Sequence, residues 1–548
     1  MNSFLKNPVL AVFIPIIFWG AISIFLTNPK IVGLYHDDGL YVALSKALAS
    51  GQGYRIISLP DQPMETKYPP LFPLLLTPVW WLNPVFPSNI IWFKVMVIVC
   101  GALFLLLSHQ LFVVVFKFGF RNSLFLLALL VTNPVLLSVS QWILAEIPYG
   151  FISTATILFY ETRCNQEKTT NNLRLVLLAL LASSSYLLKT HGIVLVLAIA
   201  LCFAVKRRYR DLVVYLFFLT PFLGGWFAWI SYHAASPHSA LTQYYISYGN
   251  SLVRIGSLSN FKRLGFLLYQ NLKYLVSTLD YFFIPLASIP VAGKLFPIVF
   301  IGFLPGLVLA WRRVSLVAGI YLVGFFFCIL LLPWHPFRHL VPIVPLILGT
   351  VALSVLSIFQ NYRTSQSQAG KLSWHPLWAL SLGSVFSAIL FFNTLRILQA
   401  LQTNNENYLP SHNAFFDPQR RWQGFEETFQ WLRENTQEED VLASLLDPVY
   451  YLYTNRKGMR FWLHNPETYF YPDWASAQPS VGEVSQIIAL LKEAKVRWLI
   501  RDPICNSDFK EGQAVDALAR AIVAKEYPRS SLCFLSSDQG HWVYRLDW

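Results

Sequence analysis

The chain is short of charge. Asp, Glu, Lys and Arg together make up 13% of its 548 residues, where a soluble protein carries about a quarter. Acids are scarcer still over most of the length, with nine Asp and Glu in residues 1–400. Cysteine is rare, at six, and no Cys-x-x-Cys or His-rich zinc pattern occurs in the sequence. These shortages exclude a disordered chain, a disulfide-built scaffold and an ordinary cytosolic enzyme. What is present is apolar: 55% hydrophobic residues and a mean hydropathy of +0.47. That is the composition of a multi-pass membrane protein whose main body is a helical bundle.

The average hides two parts. Residues 1–400 carry 27 Lys and Arg against nine acids, and residues 401–548 carry 15 against 20. The expected architecture is an all-α polytopic membrane module, 1–400, followed by a small soluble α/β domain, 401–548. The net charge of +13 then reflects topology signals and phosphate contacts beside a bilayer, and no nucleic-acid partner is expected.

A helix needs about 20 apolar residues to cross a bilayer. Spans are predicted near 8–27, 89–116, 122–140, 147–162, 173–188, 191–205, 211–232, 284–311, 314–332, 339–359 and 375–400, about eleven in all. The first reads as an anchor, because no small-residue cleavage site follows it. Lys and Arg fall in alternate loops: Lys117/Arg121, Arg163/Lys168/Arg174, Lys206/Arg207/Arg208/Arg210, Arg312/Arg313 and Arg363/Lys371. The positive-inside rule then puts the N-terminus in the cytoplasm and residues 401–548 outside. The short inner loops suit a bacterial inner membrane. Outer loop 28–88 ends in Pro69-Pro70-Leu71-Phe72-Pro73-Leu74-Leu75-Leu76-Thr77-Pro78, a proline-broken stretch read as juxtamembrane or re-entrant. Outer loop 233–283 has Phe266, Leu267, Leu268, Leu272, Leu275 and Val276 at helical spacing, which suits the membrane surface. In the tail, helices are expected at Phe425–Glu434, Val484–Ala494 and Ala514–Ala524, strands at Val441–Leu446 and Val496–Ile500, and a terminal hairpin. Cys505 and Cys533 either form one bridge, if the domain faces an oxidising compartment, or stay as two thiols.

Six of the scarce acids fall on the outer face: Asp37, Asp38, Asp61, Glu65, Glu146 and Asp280. An acid at a membrane helix end is costly and therefore a functional candidate. Asp37-Asp38 carry two readings, a cap on a helix over Leu40–Ala49 or a carboxylate poised as general base, and one residue can serve each. Glu146 likewise suits either the first turn of a helix carrying Pro148 or a site. Lys67, Lys189, His191, Arg338 and His339 share that face, where they either hold a phosphate or snorkel to headgroups. A metal site of His36, His335 and His339 is discounted; no cofactor is expected, and a divalent metal is left open without being predicted.

In order along the chain come His36-Asp37-Asp38-Gly39-x-Tyr41, Leu48-Ala49-x-Gly51-x-Gly53-Tyr54, Lys67-Tyr68-Pro69-Pro70-Leu71, Ala145-Glu146-Ile147-Pro148, Tyr186-Leu187-x-Lys189-x-x-Gly192 and Arg338-His339-Leu340-x-Pro342-x-x-Pro345. This order resembles the GT-C membrane glycosyltransferases, specifically the protein mannosyltransferase and aminoarabinose transferase group. The tail string Trp431-Leu432-Arg433-Glu434-Asn435-Thr436 is similar to the outer domains of bacterial members. His339 stands where that group commonly has Tyr, and Lys189-Thr190-His191 departs from its usual string.

The resemblance implies a polyprenyl-phosphate sugar donor, a lipid, glycan or protein acceptor, and reaction on the extracytoplasmic face. It makes Asp37 the base that activates the acceptor hydroxyl, with Asp38 second. Glu146, with Tyr41, Tyr68 and His191, would bind acceptor or donor. Lys67, Lys189, Arg338 and His339 would hold the lipid phosphate. The chemistry is consistent: displacement at an anomeric carbon needs one carboxylate, and a phosphate leaving group needs charge stabilisation more than a proton. One base with cations suits inversion, unlike the carboxylate pair of hydrolases. The other reading is a lipid-linked sugar flippase or transporter with an extracytoplasmic binding domain. Transporters carry repeats and mid-membrane charges, whereas here the acids cluster at outer helix ends.

Overall fold

The computed structural model describes residues 8–167, 169–234, 245–246, 265–273, 275, 307–308, 314–332, 338–366, 387–395, 397–398, 401, 422–461, 481–502, 520–521 and 529–548. Helix α1 (Pro8–Leu26) is apolar around its whole circumference. It buries Trp19 and exposes Phe13, Ile17, Phe18 and Phe25, as a helix with one face on protein and the other on lipid does. Helices α2 (Asp37–Ala49) and α3 (Leu71–Leu82) pack on each other, and Trp80 Nε1 donates to Ser45 Oγ at 2.8 Å. With 12 residues, α3 is about 18 Å long, too short for a bilayer core of about 30 Å, as its four-proline stretch predicts.

The bundle continues with α4 (Ile90–Gln110), α5 (Phe120–Val131), α6 (Pro134–Val139), α7 (Glu146–Phe159), α8 (Asn172–Leu188), α9 (Ile193–Val205), α10 (Tyr209–Ala234), α11 (Leu316–Leu331) and α12 (Val344–Gln366). Among the described residues, four helices are long and apolar enough to cross a membrane: Pro8–Leu26, Ile90–Val115, Tyr209–His233 and Arg338–Ser357. Phe120–Val131, Asn172–Leu188, Thr190–Val205 and Leu316–Leu331 are apolar but shorter. The expected single span over 122–140 is broken in two. Asn133 caps α6, its side chain accepting from the backbone N–H of Val135 and Leu136, and Pro134 follows as the first helical residue. The expected break after Lys189 is present: a 3-10 turn, Thr190–Gly192, separates α8 from α9. Most of the expected spans 284–311 and 375–400 lies outside the described residues. So do Lys168, Asp280, Arg312, Arg313, His335, Lys371, Cys505 and most of the tail helix expected over 514–524.

The polar residues mark two ends. Glu146 opens α7 and Glu161 lies just beyond its far end, about 20 Å away at 1.5 Å per residue. At that far end Ser315 Oγ donates to Glu161 at 2.6 Å, and Asp211 accepts from the Thr170 N–H at 3.0 Å and pairs with Arg208.

The tail forms a five-stranded sheet in the order β2-β1-β3-β5-β4. Its elements run α13 (Gln423–Asn435), β1 (Val441–Ala443), α14 (Asp447–Thr454), β2 (Gly458–Met459), α15 (Val481–Glu493), β3 (Val496–Arg501), β4 (Arg529–Leu535) and β5 (Trp542–Asp547). β1 is parallel to β2 and β3, so helices make the crossovers, and β5 is antiparallel to β3 and β4. The expected strand Val441–Leu446 is shorter than read, because the chain turns into α14, a helix without a counterpart in the sequence reading. The domain is docked on the segment between α1 and α2 and on the loop that follows α2. Ile31 and Leu34 join its core of Trp422, Phe425, Leu446 and Val449. The Gly458 N–H donates to Ser58 O at 2.9 Å, and Lys46 Nζ sits 5.0 Å from the centre of the Tyr451 ring.

Candidate active site

The turn after α1 delivers two acids to different places. Helix α2 starts at Asp37, three residues before the predicted start, and neither acid caps it in the expected way. His36 occupies the N-cap and makes no side-chain cap bond. Asp38 folds back instead. Its Oδ2 accepts from the Gly33 N–H at 2.7 Å and its Oδ1 from the Tyr35 N–H at 3.0 Å. Burial pushes its pKa up against those bonds. Asp38 therefore holds the turn, and both its oxygens are occupied.

Asp37 points to the other side. Its Oδ1 accepts from the Tyr68 hydroxyl at 2.6 Å, and its Oδ2 pairs with Arg338 Nη2. Burial raises the pKa of this carboxyl, yet the Arg338 charge, the Tyr68 hydrogen bond and His36 outweigh it, so the group is held well below the usual carboxylate range. Tyr41, one turn into α2, packs edge-on against the Tyr68 ring at 5.3 Å.

Glu146 supplies the second carboxylate. It lies in the first turn of α7, but Ala145 is the N-cap and the Glu146 side chain, 2% exposed, is turned to cations. Its Oε1 lies 2.5 Å from Lys189 Nζ, 3.4 Å from Arg338 Nε and 3.9 Å from His339 Nδ1. Lys189 reaches it from the extended residue between α8 and the 3-10 turn, and the His191 ring stacks on His339 at 5.3 Å. Buried charges must be paired to be tolerated; here Arg338 sits between two acids and Lys189 closes the second.

Lys67 and Tyr68 are set by a residue absent from the sequence-level site. Glu65 Oε1 accepts the backbone N–H of Lys67 at 2.5 Å and of Tyr68 at 3.0 Å. The Glu65 side chain is fully buried, and burial pushes its pKa up to about 7 against those bonds and the Lys67 charge. Lys67 Nζ lies 5.4 Å from the centre of the Tyr68 ring. Burial lowers its pKa, Asp37 and Glu65 oppose that, and Arg460 of the C-terminal domain adds to it.

Residues from five separated stretches thus meet: Asp37 and Tyr41; Lys67 and Tyr68; Glu146; Lys189 and His191; Arg338 and His339. Asp38 alone of the predicted set turns away. Glu65 had a signal, since it is one of nine acids in 400 residues and stands two and three positions before the amides it binds. Among the described residues no group of three or more His, Cys, Asp or Glu side chains is arranged to hold a metal. Chemically the cluster offers an ionised carboxylate beside a fork-shaped cation and two lysines, suited to accept a proton and to hold an anion.

No protein-family model matches the chain, and no curated protein matches it by sequence. Solved structures do match in shape. ArnT from Cupriavidus metallidurans bound to undecaprenyl phosphate superposes with a TM-score of 0.57 at 14% identity, covering 98% of this chain and 97% of that one. The same protein in the apo state gives 0.54 at 14% identity, over 98% and 97%. The Archaeoglobus fulgidus oligosaccharyltransferase in the apo form gives 0.53 at 14% identity, over 89% of this chain and 69% of that one. These neighbours are membrane glycosyltransferases, and this chain has their GT-C fold, the fold its ordered motifs resemble.

Proposed function

We propose that the protein is an integral membrane glycosyltransferase. It moves a sugar from a polyprenyl-phosphate donor to an acceptor hydroxyl on the extracytoplasmic face, with inversion at the anomeric carbon. The observation that carries this reading is Arg338 lying between Asp37 and Glu146, with Lys189 beside Glu146. The fold shared with an undecaprenyl-phosphate-bound transferase supports it, as does the gathering of the site at one end of the bundle.

In this reading Asp37 is the general base. It takes the acceptor hydroxyl proton as the acceptor oxygen bonds to the anomeric carbon. The bond from that carbon to the phosphate oxygen breaks on the opposite face, and polyprenyl phosphate departs as an anion. Lys67, Lys189 and Arg338 stabilise the charge that develops on it. The site as it stands has Arg338 engaged by Asp37 and Glu146, so donor phosphate competes for the guanidinium. Drawing Arg338 toward phosphate removes the main attraction that depresses the Asp37 pKa, and the base gains strength when the donor is bound. Glu146 keeps Lys189 and Arg338 in place between turnovers. The bilayer holds the prenyl chain, and the enzyme sits in a bacterial inner membrane with its N-terminus cytoplasmic and residues 401–548 outside.

The test is release of undecaprenyl phosphate by detergent-purified protein given undecaprenyl phosphate carrying a radiolabelled hexose or pentose. Release with transfer of label to cell-envelope lipid, glycan or protein supports the enzyme. Movement of donor across a vesicle without release would point to the flippase.

A further inference from the structure

The C-terminal domain reaches the candidate active site through a buried pair, in addition to the Arg460 charge near Lys67. Asp447, the first residue of α14, places Oδ1 3.1 Å from Nε2 of His36. The Asp447 side chain is fully buried and that of His36 is 16% exposed. Burying a carboxylate is costly unless it is partnered, so this contact is a poor device for docking two domains that already share an apolar core.

His36 is the residue before Asp37, and its backbone is unusual. It takes φ +61° and ψ −56°, a region that residues with a Cβ rarely adopt and that persists only where the surroundings impose it. Three features impose it here. Asp447 holds the imidazole. Tyr245 stacks on that ring at 6.1 Å. α14 is pressed closely into the turn: a Cβ on Gly33, at φ +95°, would lie 2.5 Å from Val449 Cγ2, which requires glycine there, and one on Gly39 would be tight at 3.1 Å from Pro448 Cβ. The same turn fixes where α2 starts, and Asp37 is its first residue. His36 also contributes to the attraction that keeps Asp37 ionised.

We infer that Asp447 is a positioning residue for Asp37: by gripping His36 it sets the turn that aims the Asp37 carboxylate at Tyr68 and Arg338. The C-terminal domain is then part of the reaction centre rather than a cover over it. This rests on Asp37 acting as the base of the proposed transfer.

The experiment uses the full-length protein in detergent, with undecaprenyl phosphate carrying a radiolabelled sugar. Asp447→Asn keeps the shape and removes the charge. The expected result is a kcat lower by about 10- to 100-fold with donor KM within about twofold, and substantial recovery in Asp447→Glu. His36→Gln should show a similar loss, and the double variant should be no slower than the slower single one, since both break one link. Wild-type kcat in Asp447→Asn overturns the inference, as does a loss that follows the melting temperature and is not repaired by Asp447→Glu. If the wild-type protein transfers no sugar, the transferase reading fails while the positioning inference is still decided, by the rate at which a carbodiimide and glycine ethyl ester amidate Asp37, read by peptide mass spectrometry. A severalfold change in that rate in Asp447→Asn and His36→Gln supports it, and rates equal to wild type overturn it.

Discussion

Arg338 Nη2 is paired with Asp37 Oδ2 while its Nε faces Glu146 Oε1 at 3.4 Å. One guanidinium therefore bridges two carboxylates brought in by α2 and α7, with Lys189 supplying the second positive charge, and a lysine lacks the fork that makes both contacts. Arg338→Gln strips Asp37 of its paired cation and leaves Glu146 with Lys189. The expected loss of stability is about 3–5 kcal/mol, and transfer should fall by about 10²- to 10³-fold. Arg338→Lys should be intermediate. The pH profile gives the sharper measurement. The folded pKa of Asp37 lies below the ordinary 3.8, so its stabilising pair is complete above that value and is lost as pH falls through the folded pKa. The acid limb of kcat/KM should move to higher pH in both variants. An unmoved limb would mean that Arg338 does not control the base.

Glu65 predicts the opposite slope. Its pKa is raised from 4.5 to about 7, so the folded state binds its proton more tightly than the unfolded chain does. Stability from this group is complete below about pH 4.5 and is lost as pH rises toward 7, by roughly 3 kcal/mol. Glu65→Gln keeps an acceptor oxygen for the Lys67 and Tyr68 amides and has no charge to bury. Melting temperatures at pH 5 and pH 8 should show the variant gaining on wild type as pH rises. Identical pH slopes in the two proteins would rule out a protonated Glu65.

Much of the site was legible because the chain is so poor in acids. Where nine carboxylates serve 400 residues, each one at a helix end stands out against the apolar background, and Asp37 and Glu146 did. Lys189 stood out in the same way at a break between apolar runs. The resemblance puts Asp37 ahead of Asp38, but the residues alone do not say which acid faces the cluster, because that depends on the Gly33–Tyr35 turn folding back onto Asp38. The division of 122–140 into α5 and α6 was written in Asn133-Pro134, a cap followed by its preferred first residue, but long apolar runs on either side dominate any reading by hydropathy. Asp447 was out of reach for two reasons. It lies 411 residues from His36, and it belongs to a domain with 20 acids in 148 residues, where no single Asp is conspicuous. Its helix, Asp-Pro-Val-Tyr-Tyr-Leu-Tyr-Thr, is built largely of residues that favour strands; the Asp-Pro start and packing against α2 make it helical.

Glu146 and Lys189 form a close acid–lysine pair at the centre of the cluster, 2.5 Å apart with side chains 2% and 14% exposed. Breaking such a pair from one side leaves the other charge buried. Glu146→Gln and Lys189→Met should each lower stability, by about 3 kcal/mol or more. The double variant should lose less than the two together by about 1–3 kcal/mol. Chemical denaturation of the four proteins in one detergent gives the coupling. Simple additivity would show that the pair is not coupled in solution, and Glu146 would then be holding Arg338 alone.

The two adjacent aspartates separate chemistry from folding. Asp37→Asn leaves Arg338 with Glu146, keeps an acceptor for the Tyr68 hydroxyl and removes the base. Membrane insertion and melting temperature should survive, and transfer should fall by at least about 10³-fold. Asp38→Asn weakens two bonds to the Gly33 and Tyr35 amides, because an amide has one acceptor oxygen where the carboxylate has two. It should cost about 1–3 kcal/mol of stability. Activity per folded molecule should fall far less than in Asp37→Asn. Measured side by side with melting temperature, the pair assigns the base by the pattern of loss: activity without stability at one position, stability ahead of activity at the next. The reverse pattern would make Asp38 the proton acceptor and require the turn to open during the reaction, since both of its oxygens are committed to the backbone as the turn stands.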